Sequence, residues 1–92
     1  MSGNAAQIGR LVCSMQGRDS GRYYLVVGSV NETRVMLADG EVRKVDNPKI
    51  KNVKHLKFYD MIAGEVFDKA INGKRITNVD VRKELKSLIE QI

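Results

Sequence analysis

The sequence has little of what small proteins use for catalysis, metal binding or covalent cross-linking. Among its 92 residues there is one cysteine, one histidine, one proline and no tryptophan. Cys13 alone cannot form an internal disulfide, and Cys13 with His55 cannot supply the four ligands of a structural zinc site. The sequence has no Ser-His-Asp or Cys-His pattern, no Walker-type loop, and no apolar run near the ~20 residues of a membrane span. We therefore expect no enzyme, no metal, no cofactor and no membrane insertion.

The lone cysteine and the absence of a hydrophobic leader predict a protein of the reducing cytoplasm. The small and polar residues at the start predict a disordered N-terminus over residues 1–7. Hydrophobic residues make up 42% of the chain, which favours a folded core, and aromatic residues only 5%. Valine, leucine and isoleucine must therefore form most of that core.

Positive charge is concentrated in the first part of the chain. The net charge is +5, and up to Lys57 ten basic residues stand against five acidic ones. From Phe58 onward six basic residues balance six acidic ones. This distribution predicts that the first part contacts a polyanion. The alternative is ordinary surface charge that keeps the protein soluble.

Short alternating or β-branched runs predict five strands, over residues 8–15, 23–30, 33–38, 41–45 and 53–59. Asn31-Glu32 is a plausible hairpin loop, and Asp39-Gly40 predicts a two-residue type I′ turn. Asn47-Pro48 is expected to end the fourth strand. Five short strands at close spacing predict a small β-barrel.

After Tyr59 the apolar period becomes helical. Residues 61–71 predict a first helix that ends at Asn72-Gly73. Thr77 and Asp80 form a capping-box pair at the start of a second helix. We expect a barrel over residues 8–59 and a helical extension over residues 60–92 that packs on it.

The most informative segment is residues 8–22, in which a predicted strand leads into a loop framed by Gly17 and Gly21. Glycine permits positive φ and lets another backbone approach closely, and Arg18 and Arg22 offer donors to phosphates. This segment resembles the KOW motif of ribosomal proteins and transcription elongation factors, whose characteristic glycine Gly21 would match. The resemblance implies an SH3-like β-barrel that binds RNA.

Four further pieces extend the resemblance: Asp39-Gly40, Arg43-Lys44, Pro48-Lys49 and Lys54-His55-Leu56. Together they resemble a small bacterial KOW-domain family related to the fourteen-e protein of the archaeal and eukaryotic large ribosomal subunit. Ile50 and Glu41 depart from the more continuously basic pattern. The resemblance implies a monomeric RNA-binding protein that contacts ribosomal RNA, with ribosomal proteins as further expected partners.

The predicted RNA-binding residues are the glycines and basic residues of the loop, together with the basic segment that follows it and His55. They are Gly17, Arg18, Gly21, Arg22, Arg43, Lys44, Lys49, Lys51, Lys54, His55 and Lys57. So basic a set should contact phosphates rather than read bases. Tyr23, Tyr24 and Tyr59 could stack on unpaired bases or simply pack. Two alternatives remain: a lysine-protected edge strand, and a protein-binding adaptor of the transcription or translation machinery.

Overall fold

The chain forms a five-stranded antiparallel sheet followed by two helices, in a computed structural model that describes residues 7–92. The strands are β1 (Arg10–Ser14), β2 (Tyr23–Ser29), β3 (Arg34–Ala38), β4 (Lys49–Asn52) and β5 (Leu56–Ile62). The helices are α1 (Gly64–Ile71) and α2 (Asn78–Ile89). The sheet order is β4-β3-β2-β1-β5, so β4 and β5 are its edges. The predicted class, a mainly β SH3-like barrel with two C-terminal helices, is confirmed.

The strands bury side chains on both faces of the sheet, which explains their long apolar runs. Leu11, Val12 and Cys13 are all buried, although neighbours along a strand point to opposite faces. One face forms the barrel core, which comprises Val12, Tyr24, Val26, Val35, Leu37 and Leu56. The other face and the two helices form the helix-side core, which comprises Leu11, Leu25, Ala38, Ala63, Val66, Val81, Leu85 and Leu88.

The prediction of a fourth strand over residues 41–45 was wrong. Residues 41–45 belong to a loop, and β4 follows Asn47-Pro48 instead of preceding it. The carboxylate of Asp39 explains the difference, because it accepts hydrogen bonds from the backbone N–H groups of Glu41 and Arg43 at 2.9 and 2.8 Å. These local bonds compete with strand pairing. Among residues 7–92 only glycines have positive φ, so Asp39-Gly40 is not a type I′ turn.

The fifth strand and the first helix both begin three residues later than the predicted starts at residues 53 and 61. Val53–His55 form a short 3₁₀ turn, and β5 continues to Ile62 before α1 begins at Gly64. The 3₁₀ turn starts there because the side chain of Asn52 accepts a hydrogen bond from the N–H of Lys54 at 3.0 Å. The predicted domain boundaries, at residues 8, 59 and 60, stay predictions. The predicted disorder of residues 1–7 lies, apart from Gln7, outside the described residues.

The predicted signals that end α1 and start α2 are confirmed. Gly73, which follows the C-cap residue Asn72, has a φ of 69°, as a glycine after a helix end requires. At the start of α2, the Thr77 hydroxyl accepts from the N–H of Asp80, and the Asp80 carboxylate accepts from the N–H of Thr77. Lys69 of α1 donates to the same carboxylate at 2.7 Å, which joins the two helices.

The loop over residues 39–47 docks on the first turns of α2. The side-chain oxygen of Asn78 accepts from the N–H of Val45, and the Arg82 guanidinium donates to the carbonyl of Gly40, both at 2.9 Å. Val66 and Val81, one from each helix, are fully buried in the helix-side core. Burial of such a side chain contributes about 1.5–3 kcal/mol, so the helices are integral to the folded structure.

Substitution of two glycines with similar φ should separate backbone strain from close packing. Gly21 has a φ of 91°, and an added Cβ would meet nothing within 4 Å. Gly40 has a φ of 82°, and its Cβ would lie 2.5 Å from the Asn78 carbonyl oxygen and 2.7 Å from Cγ of Arg82. Gly21→Ala should cost about 1–2 kcal/mol of unfolding free energy through strain alone. Gly40→Ala should cost a further ~1–3 kcal/mol because α2 must shift.

Urea denaturation of the two variants in the absence of RNA measures this difference. Equal losses would show that the loop over residues 39–47 and α2 are not held as closely as described.

Candidate functional site

The loop over residues 15–22, called here the glycine loop, connects β1 to β2. Gly17 and Gly21 both adopt positive φ, near 92° and 91°. The N–H of Gly21 donates to the carbonyl of Ser14 at 2.7 Å, and the N–H of Ser14 donates to the carbonyl of Arg22 at 2.9 Å. These bonds fix the path of the loop while Arg18 and Arg22 remain exposed.

Asp19 turns inward from the glycine loop and joins it to the barrel. Its carboxylate accepts hydrogen bonds from the Ser14 hydroxyl at 2.8 Å, the Tyr24 hydroxyl at 2.9 Å and the Lys51 ammonium at 2.6 Å. Lys49 lies 3.8 Å from the second carboxylate oxygen. The Asp19 side chain is only 12% exposed. One carboxylate thus connects β1, β2 and the glycine loop to β4, on the opposite edge of the sheet.

The surroundings of Asp19 favour its charged form. Burial is the largest influence and would raise the pKa, but hydrogen bonds from Lys51, Ser14 and Tyr24 and the charge of Lys49 outweigh it. The pKa of Asp19 therefore lies well below its usual range. Burial, together with the hydrogen bond to Asp19, raises the pKa of Tyr24 to about 12.

The structure brings several of the predicted RNA-binding residues together. Lys49 and Lys51 reach the glycine loop, and Lys51 also donates to the carbonyl of Gln16 at 2.6 Å. The carbonyl of His55 accepts from the N–H of Met15 at 2.9 Å, so the Lys54–His55 turn lies beside the start of the glycine loop.

The predicted residues differ in what they can offer a ligand. Arg18, Arg22, Lys44, Lys54 and Lys57 are exposed. The Lys51 side chain is only 10% exposed and is paired with Asp19. Arg43 and Lys44 belong to the loop over residues 39–47, which docks on α2. The predicted set therefore divides into a group around the glycine loop and a separate pair on the docked loop.

The three tyrosines have different surroundings. Tyr24 is 2% exposed and hydrogen bonded to Asp19, so its ring belongs to the barrel core. Tyr23 and Tyr59 are partly exposed, and their ring centroids lie 6.0 Å apart at an interplanar angle of 47°. The Lys57 ammonium lies 5.0 Å from the centroid of the Tyr59 ring, within cation–π range.

Sequence reasoning missed the part of α2 that lies near the glycine loop. Arg82, Lys83 and Lys86 line a groove together with Gly21 and Arg22. We call this the α2 groove. The equal numbers of acids and bases after Phe58 concealed this basic side of the helix. The spacing of the basic residues Arg82 and Lys86, one helical turn apart, is the signal that could have indicated this basic side of α2.

The described residues were also compared with the requirements of a metal site and of a membrane-spanning helix. Over residues 7–92, no three His, Cys, Asp or Glu side chains are grouped to hold a metal ion. In the same range no helix has both the length and the apolar character to cross a membrane.

Comparison with known proteins identifies a relative. No protein-family model matches the chain. A Bacillus subtilis (strain 168) protein named "Putative ribosome-binding protein YbzG" is 43% identical to it over 54 residues. The matched region covers 59% of this chain and 73% of the relative. The chain belongs to the YbzG family.

In this member of the YbzG family, Asp19 should make folding sensitive to acid. Its pKa is lowered in the folded state, so its stabilising effect is complete above the unfolded-state pKa near ~4 and is lost as the pH falls below it. Asp19→Asn should reduce the free energy of unfolding at pH 7 by about 3 kcal/mol. It should also make the dependence of stability on pH shallower between pH 2 and 5.

Chemical denaturation at a series of pH values measures both effects. Asp46→Asn is the matched control, because Asp46 is exposed. Some acid sensitivity should persist in Asp19→Asn, since the Lys69 and Thr77 hydrogen bonds also lower the pKa of Asp80. An unchanged pH profile in Asp19→Asn would contradict the role given to this carboxylate.

Proposed function

We propose that this chain is a ribosome-associated, RNA-binding protein that contacts the phosphate backbone of ribosomal RNA through its glycine loop and the adjacent basic residues. The name of the YbzG relative supports the association with the ribosome. The KOW-like pattern of residues 8–22 and the net charge of +5 support RNA as the ligand. This function requires no catalytic group and agrees with a cytoplasmic location.

The orientation of Asp19 is the observation that carries the proposal. An acidic side chain inside a basic loop would repel phosphate if it were exposed. Here Lys51 and Lys49 neutralise it within the barrel, while Arg18 and Arg22 remain at the surface. The glycine loop therefore offers its positive charges outward and its negative charge inward.

The proposed contact surface comprises the glycine loop and the neighbouring turn: Gly17, Arg18, Gly21, Arg22, Lys49, Lys54, His55 and Lys57. An added Cβ at Gly21 would meet nothing within 4 Å, so a ribose-phosphate can approach the backbone closely on that side. Lys51 acts indirectly, since it neutralises Asp19. Arg43 and Lys44 would provide additional phosphate contacts for a longer RNA.

A second candidate function is a protein-binding adaptor of the translation or transcription machinery. It is favoured by the exposed apolar side chains of α2, because Val79 is 59% and Ile89 36% exposed. An apolar interface of this kind would depend little on salt, whereas phosphate contacts depend on it strongly. Salt dependence therefore separates the two functions.

RNA binding should weaken steeply with salt. If about four phosphates are neutralised, the logarithm of the association constant should fall against the logarithm of salt concentration with a slope of roughly −3 to −4. Affinity for a structured RNA at physiological salt should be on the order of micromolar. Fluorescence anisotropy with a labelled RNA hairpin measures both quantities, and a salt-independent constant would favour the adaptor.

Arg18→Ala and Lys51→Ala should separate binding from folding. Arg18 is exposed, so Arg18→Ala should leave the melting temperature unchanged, weaken RNA binding and make the salt slope shallower by about one. Lys51→Ala leaves Asp19 without its closest cation and should mainly lower the melting temperature. Lys74→Ala, an exposed change after α1, is the matched control for charge. If Arg18→Ala bound RNA like Lys74→Ala, the glycine loop would not be the contact.

A further inference from the structure

The α2 groove has a volume of about 900 Å³. It lies between the glycine loop, the loop over residues 39–47 and α2. Ligand pockets usually measure ~300–1,000 Å³, so the α2 groove is large enough for a small organic group. Its apolar lining includes Tyr23, Val79, Leu85 and Ile89.

The charges around the α2 groove nearly balance. Its basic residues are Arg22, Arg82, Lys83 and Lys86, and its acidic residues are Asp39, Glu41 and Glu90. One excess positive charge suits an occupant with a single negative charge rather than a run of phosphates. A nucleotide with one phosphodiester group has that charge and also a flat base for an apolar surface.

Several of these charged groups are already engaged within the protein. The guanidinium of Arg82 donates to the carbonyl of Gly40, and Lys83 lies 3.8 Å from Glu65. The carboxylate of Asp39 accepts from two backbone N–H groups of its own loop. Arg22 and Lys86 are both exposed, which makes them the better placed to meet a phosphate.

We infer that the α2 groove binds one unpaired nucleotide of the RNA whose backbone lies on the glycine loop. The base would rest on Tyr23, Leu85 and Ile89, and its phosphate would lie between Arg22 and Lys86. The exposed carboxylates of Glu41 and Glu90 can accept hydrogen bonds from the amino groups of a base. This inference rests on the proposed function and extends the RNA contact from the barrel to α2.

Continuity with the glycine loop supports RNA as the occupant. Gly21 and Arg22 belong both to the glycine loop and to the lining of the α2 groove, so a strand bound at the loop reaches the groove directly. Tyr23, which also lines the groove, lies beside Tyr59 with Lys57 over the second ring. Aromatic and cationic side chains next to a phosphate-binding loop are typical of surfaces that bind unpaired nucleotides.

The test compares two RNA hairpins that differ by one bulged nucleotide, with the full-length chain at constant salt. The wild-type protein should bind the bulged hairpin about tenfold more tightly than the fully paired one. Ile89→Ser and Lys86→Gln should each reduce this preference severalfold without changing affinity for the paired hairpin. A 4-thiouridine at the bulge should cross-link to α2.

Two exposed substitutions outside the groove are matched controls. Ile71→Ser on α1 should behave like the wild type, as should Lys74→Gln. Melting temperatures of all variants establish that the helices remain folded, and Lys86→Gln changes no buried side chain. The result expected is therefore a loss of bulge preference confined to the two groove variants.

Four other results would overturn the inference. Equal wild-type affinity for both hairpins, or full bulge preference in both groove variants, would reject the nucleotide site and leave RNA binding by the glycine loop intact. Binding of neither hairpin would reject the proposed function as well. Equal affinity for both hairpins, with Ile89→Ser lost from ribosome fractions, would assign the groove to a protein segment.

Discussion

The carboxylate of Asp19 and its cation Lys51, 2.6 Å apart, connect the glycine loop to the far edge of the sheet. A five-stranded sheet with β4 and β5 as edges needs contacts across its ends to hold a barrel shape, and β4 has only four residues. The Asp19 cluster provides such contacts at one end, because β1, β2 and β4 all contribute donors to it. This cluster and the backbone hydrogen bonds of Ser14 with Gly21 and Arg22 together hold the glycine loop, whose two arginines are exposed.

The helices are held against the sheet by apolar packing and by polar contacts. The barrel core lies on one side of the sheet, and the helix-side core joins its other side to α1 and α2. Because Arg82 and Asn78 also hold the loop over residues 39–47, α2 is fixed beside the glycine loop by polar contacts as well as by apolar packing. The proposed contact surface on the barrel is therefore continuous with α2, since Gly21 and Arg22 line the same groove as Arg82 and Lys86.

Local sequence signals predicted the fold where neighbouring residues determine the structure. Thr77 with Asp80 and Asn72 with Gly73 are caps of this kind, and both are in place. The prediction of a strand over residues 41–45 was wrong, because the Asp39 side chain accepts hydrogen bonds from the N–H groups of Glu41 and Arg43 and so holds this segment as a loop. Which of these two short, largely polar segments becomes an edge strand depends on β3, which pairs with Lys49–Asn52 and not with residues 41–45.

The candidate site was harder to predict, because contacts between residues far apart in the sequence decide which of its charged side chains are neutralised and which are exposed. The arginines of the glycine loop were recognisable from sequence. The neutralisation of Asp19 by Lys51 was not, because the two residues are 32 positions apart. The α2 groove brings Arg22 to Lys86, and no local pattern relates the two. The charge distribution predicted a polyanionic ligand and the KOW-like pattern implied RNA, whereas the division of the lysines between structural and exposed roles required the fold.

Sedimentation of cell lysate through a sucrose gradient, with the protein detected by antibody, tests the central claim most directly. The account predicts that the wild-type chain migrates with ribosomal particles at low salt and is released at high salt. It also predicts that a folded variant with both Arg18→Glu and Arg22→Glu stays at the top of the gradient. A wild-type chain that stays at the top at low salt, or a double variant that still migrates with ribosomes, would contradict the account.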